Sequence, residues 1–100
     1  MNVKIITQRK FKEPLVQENL IAIKALRISA MQQKGYVSGE TLVNFKDRRE
    51  VVVLSTWSDI DDFNTWLKSD EKIKLENKLT PLLDEPARIS SLMEFCLFHQ

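Results

Sequence analysis

Gly35-Tyr36-Val37-Ser38-Gly39-Glu40-Thr41 holds both glycines of this 100-residue chain, and its reading decides where a helix stops and a strand begins. Everywhere else, turns included, the chain does without glycine, so these two sit where a side chain would fit poorly. Gly35 follows a long amphipathic segment ending Met31-Gln32-Gln33-Lys34, where a left-handed helix C-cap suits glycine best. Gly39 lies within an alternating run, where a missing side chain marks a bulge or the close approach of another group.

Upstream, Val3 to Arg9 alternates in the manner of a strand. Pro14 opens a helix from Leu15 to Gln33, with Val16, Leu20, Ile23, Leu26 and Ala30 near helical spacing. Ile21, Ile28 and Met31 widen that apolar face. Downstream, a strand from Tyr36 to Phe45 sets Tyr36, Ser38 and Glu40 on one side and Val37, Gly39 and Thr41 on the other. The charged run Lys46 to Glu50 is a hairpin connection to a strand over Val51 to Trp57. Ser58 reads as an N-cap, with Asp61 completing a variant capping box. The helix that follows carries Ile60, Phe63, Trp66 and Leu67 on one side. Ser69-Asp70 restarts a short helix with Ile73, Leu75 and Leu79, which Pro81 limits. Ala87 to Phe98 forms a long terminal strand.

The order strand, helix, strand, strand, helix pair, strand is the split βαβ pattern of a ferredoxin-like α+β fold. It implies an antiparallel four-stranded sheet with helices on one face, in one domain over residues 1–100. Helices cover only one face of such a sheet, and the other is expected to be polar in a monomer. Here Val51 to Leu54 and Leu92 to Phe98 are apolar on both faces, so a second copy of the sheet is the expected cover. The segment Phe95-Cys96-Leu97-Phe98 either crosses to that partner or ends within its own sheet.

Composition narrows the function classes. With 15 basic and 14 acidic residues the chain lacks the electrostatic footprint of a nucleic-acid binder. Arg9-Lys10-Phe11-Lys12 reads as a solvated strand end. One cysteine, Cys96, excludes an internal disulfide and a cysteine metal cluster, and one histidine, His99, stands beside the C-terminus. Met1 to Ile6 is too short an apolar stretch for a signal peptide, and nothing approaches a transmembrane length, so a cytoplasmic protein away from membranes is expected.

Gly-Tyr-x-Ser-Gly-Glu-Thr at 35–41 followed by Val-Leu-Ser-Thr-Trp at 53–57 resembles the antibiotic biosynthesis monooxygenase family. Phe63-Asn64-Thr65-Trp66-Leu67-Lys68-Ser69 and Glu85-Pro86 extend the likeness over almost the whole chain. The resemblance implies a dimeric α+β barrel built from two ferredoxin-like units. It implies less about chemistry, because the family includes cofactor-free oxygenases of polycyclic phenols, quinol oxidisers, haem degraders and an isomerase-like protein.

In the cofactor-free members an electron-rich phenol or enol itself supplies electrons to dioxygen, and no cofactor is needed. The protein supplies an apolar cavity, hydrogen bonds that position the anion, and a base. On this resemblance Trp66, Glu40 and Asn64 are the candidate catalytic residues, with Tyr36, Phe63 and Arg88 as substrate contacts. Trp66 is either a cavity wall or a packing tryptophan. Glu40 is a base if its side of the strand faces the helices, and a structural residue if it faces outward. Asn64 orients a substrate oxygen or is a surface amide. Arg88 meets an anionic ligand or braces Glu40.

Haem degradation is disfavoured. The iron-ligating histidine of those members falls at Glu76 and their asparagine near Gln8, which leaves the iron without a proximal imidazole. The expected activity is a cofactor-independent oxygenation of a small phenol or quinol. A small-molecule-binding or structural dimer module, and an isomerase of a small carbonyl metabolite, are the competing readings.

Overall fold

The computed structural model describes residues 2–14 and 16–95. Its elements run β1 (Val3–Lys10), α1 (Gln17–Met31), β2 (Tyr36–Val43), β3 (Glu50–Trp57), α2 (Ile60–Leu67), α3 (Asp70–Leu79), a 3₁₀ turn (Thr80–Leu82) and β4 (Arg88–Met93). The four strands form one antiparallel sheet in the order β2-β3-β1-β4, which is the ferredoxin-like topology expected. β4 ends at Met93, earlier than the apolar run suggests. The expectations for Cys96, Leu97, Phe98 and His99 lie outside the described residues.

Register sorts the two faces. Val3↔Trp57, Ile5↔Ser55 and Arg9↔Val51 set odd-numbered residues of β1 and β3 on the helix side, where Ile5, Val51 and Trp57 are buried. Even-numbered Lys4, Ile6, Val52, Leu54 and Thr56 lie on the opposite face.

α1 starts at Gln17 rather than at Leu15, with an extended Val16 as its uncapped N-terminus. Pro14 therefore precedes the helix instead of opening it. Its buried stripe is Asn19, Ile23, Leu26 and Ala30, spaced to fall on one face. Ile23, Leu26 and Ala30 are buried as expected, whereas Val16, Leu20, Ile21, Ile28 and Met31 are exposed and the polar Asn19 and Ser29 are buried in addition. Each fully buried leucine or isoleucine here contributes about 1.5–3 kcal/mol.

Gly35 closes the turn after α1 at φ +86°, the left-handed conformation expected of it. It is also pressed from outside. A Cβ there would lie 2.5 Å from Asp62 Oδ2 and 2.8 Å from Asp62 Cβ on α2. Gly35→Ala therefore meets both dihedral strain and a clash, and we expect a loss of about 2–3 kcal/mol. The check is a lower urea midpoint at unchanged slope, with partial recovery when Asp62→Gly is added.

α2 is capped by Asp59, whose carboxylate accepts from the Asp61 N–H at 2.8 Å, and not by Ser58. α2 begins at Ile60, one residue later than a Ser58 cap would set it, and the Ser58 N–H instead donates to the Gly35 carbonyl at 2.7 Å. Ser69 caps α3 as its sequence suggests, accepting from the Lys72 N–H at 3.2 Å.

Candidate functional site

Four aromatic rings gather where β2, β3 and α2 meet. Trp57, fully buried, stacks on Trp66 at 5.8 Å and receives Tyr36 and Phe63 edge-on, each at 5.5 Å. Tyr36 reaches this cluster through a β-bulge. Tyr36 pairs with Trp57 and Ser38 with Thr56, so Val37 is an extra residue on its strand. The bulge reverses the alternation. Tyr36 shares the helix side with Gly39 and Thr41, whereas Ser38 and Glu40 turn to the opposite face.

The irregularity foreseen near Gly39 thus falls two residues earlier, and Gly39 serves the close approach. A Cβ there would lie 2.5 Å from the Tyr36 hydroxyl and 3.1 Å from Arg27 Nε. Arg27 donates to the Gly39 carbonyl at 3.0 Å and to Thr41 Oγ1 at 2.9 Å. Gly39→Ala should displace both side chains at a cost of about 1–3 kcal/mol. The readouts are a lower thermal midpoint and a changed tyrosine environment in near-ultraviolet circular dichroism.

Beneath the rings lies a partly open cavity of about 40 Å³. Ile23, Leu26, Val53, Phe63, Trp66 and Ile89 give it apolar walls, and Thr7, Ser55 and Tyr36 add hydroxyls. Arg9, Arg27 and Lys72 also line it. Arg9 and Lys72 are buried at 5% and 6% exposure and converge on Glu76. Arg9 donates Nη2 to Glu76 Oε1 at 2.7 Å and Nε to Oε2 at 3.2 Å, and Lys72 Nζ donates to Oε1 at 2.7 Å. Burial would raise the Glu76 pKa. The hydrogen bonds and charge of Arg9, then those of Lys72, outweigh burial and hold the carboxyl below its usual range. Lys72 Nζ also stands 5.4 Å from the Trp66 ring centroid.

Of the candidates from sequence, Tyr36, Phe63 and Trp66 come together at this cavity. Trp66 is 7% exposed and donates its indole N–H to Ser29 Oγ at 3.0 Å. Glu40, Asn64 and Arg88 do not join them. Glu40 is exposed on the face away from the helices, beside Lys4, Leu54 and Thr56. The expectation that it shares a side with Tyr36 fails because of the bulge. Asn64 is half-buried on α2 and does not line the cavity. Arg88 is exposed on the outer face and reaches Glu85 at 3.4 Å, not Glu40.

The reading of Arg9 to Lys12 as a solvated strand end is also corrected. Arg9 and Phe11 are buried, because both continue the inward phase of Ile5 and Thr7. That phase was the available signal for Arg9. The Lys72 and Glu76 pair, one helical turn apart, was the signal for the other members of the cluster.

The sequence matches the antibiotic biosynthesis monooxygenase family over residues 3–74. The chain belongs to that family. Among solved structures, a conserved protein from Methanosarcina mazei Go1 superposes with a TM-score of 0.86 at 17% identity, covering 95% of this chain and 94% of its own. SnoaB, a cofactor-independent oxygenase from Streptomyces nogalater, gives 0.85 at 14% identity over 99% and 98%. A candidate antibiotic biosynthesis monooxygenase from Bordetella bronchiseptica gives 0.82 at 9% identity over 95% and 98%. Identities this low establish the shared fold alone. No curated protein matches the chain in sequence.

The family resemblance sets the iron-ligating histidine of haem-degrading members at Glu76, whose carboxylate is not the neutral imidazole they use. Glu76, at the position of their histidine, has both carboxylate oxygens committed to Arg9 and Lys72. Among the described residues no helix is long and apolar enough to cross a membrane.

Proposed function

We propose that this chain, one domain over residues 1–100, is a cofactor-independent monooxygenase of a small aromatic phenol or quinol. The observation that carries the reading is the apolar cavity under Trp66, with the Tyr36 hydroxyl and the Arg9–Lys72 cations on its wall. Family membership and the fold shared with an oxygenase that needs no cofactor support it.

The chemistry balances without an external reductant. The ionised substrate gives an electron to dioxygen, and the resulting radicals join to form a carbon–oxygen bond. The hydroperoxide then loses water. One oxygen atom stays as a quinone carbonyl, and the other leaves with two hydrogens taken from the substrate. Trp66 and Phe63 supply walls for the ring, and the Tyr36 hydroxyl supplies a hydrogen bond. A volume of about 40 Å³ holds a few waters and is smaller than the roughly 150 Å³ that accepts one benzene. A single-ring substrate already requires side chains to move, so polycyclic ones are disfavoured.

A cytoplasmic homodimer is part of the same proposal. The outer sheet face presents Leu42 at 48% and Leu92 at 50% exposure beside Ile6, Val52 and Leu54, and a second copy would cover it. The lone cysteine suits a reducing compartment.

The competing reading is a binding or structural dimer module. It draws on the small cavity and on the Trp66 N–H already satisfied by Ser29. Oxygen uptake decides between them. Chelator-treated protein is offered hydroquinones and naphthols under ¹⁸O₂. Catalysed uptake with one labelled oxygen in the quinone is expected, and uptake no faster than the buffer blank across the panel would favour the module.

A further inference from the structure

The charges around the cavity do not balance. Arg9, Arg27 and Lys72 line it, and among the described residues no carboxylate does. Glu76 stands behind Arg9 and Lys72 and answers one positive charge of the two. Arg27 is bonded to a backbone carbonyl and a hydroxyl, both neutral.

The donors are not exhausted either. Arg9 commits Nε and Nη2 to Glu76, and its Nη1 makes no hydrogen bond among the described residues. No buried side-chain nitrogen or oxygen there is left unpaired, so Nη1 must open onto space that water or a ligand reaches. Tyr36 also lines the cavity, and its hydroxyl, beside Gly39, makes no hydrogen bond among the described residues. Buried positive charge without a counter-charge is costly, and an anion supplied from outside removes that cost.

A second, wider groove of about 480 Å³ shares Lys72 and Ile89 with the cavity. Its other lining residues include Glu76, Asp84 and Glu85. The groove thus repels anions, whereas the cavity attracts them.

We propose that the cavity takes its phenol or quinol in neutral form and holds it as the oxyanion, with Arg9, Lys72 and Arg27 supplying the compensating charge. The O–H bond breaks on binding and the proton passes to solvent water, so no protein base is required. This rests on the oxygenase reading only for the class of ligand. The cation cluster lowers the pKa of the bound phenol, where burial in an apolar cavity alone would raise it.

The probe is 4-nitrophenol, whose phenolate is yellow, titrated with pH in the presence of saturating protein. Its pKa on the wild type should fall by about one unit or more. Lys72→Met leaves Arg9 and Glu76 as a balanced pair and should return most of that shift. Arg27→Gln, which changes a less buried residue, should return part of it. A probe that fails to bind, or binds with its pKa unchanged or raised, overturns the inference. So does a lowered pKa that both variants retain. Oxygen uptake is scored separately. Uptake with an unshifted phenol would keep the oxygenase and discard the anion site, whereas a lowered pKa without uptake would keep the anion site and discard the oxygenase.

Discussion

Replacing Trp66 by alanine should cost about 3–5 kcal/mol of folding stability and abolish oxygen uptake. The stability loss follows from what the indole touches. It stacks on Trp57 at 5.8 Å, lies 6.2 Å from Phe63, carries Lys72 over its face and bonds Ser29. Removing it leaves an enlarged cavity and an unpaired buried hydroxyl. Loss of uptake in an unfolded variant would say nothing about the site, so Trp66→Phe is the informative companion. Phenylalanine keeps an apolar wall and forfeits only the N–H bond and part of the stack. It should cost about 1–2 kcal/mol and leave a folded protein with reduced turnover. Urea denaturation gives the first quantity and oxygen uptake the second. Undiminished turnover in Trp66→Phe and in any folded Trp66→Ala would place the reaction elsewhere.

Glu76→Gln should destabilise the fold by about 3 kcal/mol, the low end for breaking a buried pair, because Glu76 keeps 23% exposure. The neutral amide leaves Arg9 and Lys72 facing each other without a counter-charge. The pH dependence gives the same interaction by another route. The folded-state pKa of Glu76 lies below its unfolded value. Its contribution is therefore complete above the ordinary glutamate range and disappears as pH falls through the depressed folded value. Wild type should lose stability on acidification through that window, and Glu76→Gln should show a shallower loss. Urea midpoints measured from neutral pH downward test this, and parallel curves would contradict it.

Much of the fold was legible because its signals are local. Gly35 declares a left-handed turn wherever it stands, and Ser69 caps α3 from the adjacent residue. The alternation of β1 gives its inward face directly, whereas β3, apolar on both sides at Val51 to Leu54, takes its inward face from the register with β1. The site was less legible because its signals are not local. The extra residue at Val37 leaves no mark in the alternation. It nevertheless decides that Tyr36 faces the cavity and Glu40 the outer face. Arg9 sits in a basic run that looks solvated until Glu76 is brought against it by the packing of α3 on the sheet. Asp59 displaces Ser58 as the cap because α2 begins at Ile60, one residue later than the sequence pattern sets it, while the Ser58 N–H is bonded to Gly35. Asn64 and Arg88 were inferred by likeness to the family, and their sites here lie off the cavity.

The central claim is that a phenol occupies the space under Trp66. The two indole N–H groups provide separate probes, since Trp57 donates to Ser55 at 3.2 Å and Trp66 to Ser29 at 3.0 Å. The decisive measurement is an anaerobic ¹H–¹⁵N titration with hydroquinone, after assigning the indole signals with Trp66→Phe. Saturable movement of the Trp66 resonance, with shifts spreading to Tyr36, Ser55 and Lys72, is the expected result. Unmoved indole signals, or shifts confined to the outer sheet face around Glu40, would contradict the account.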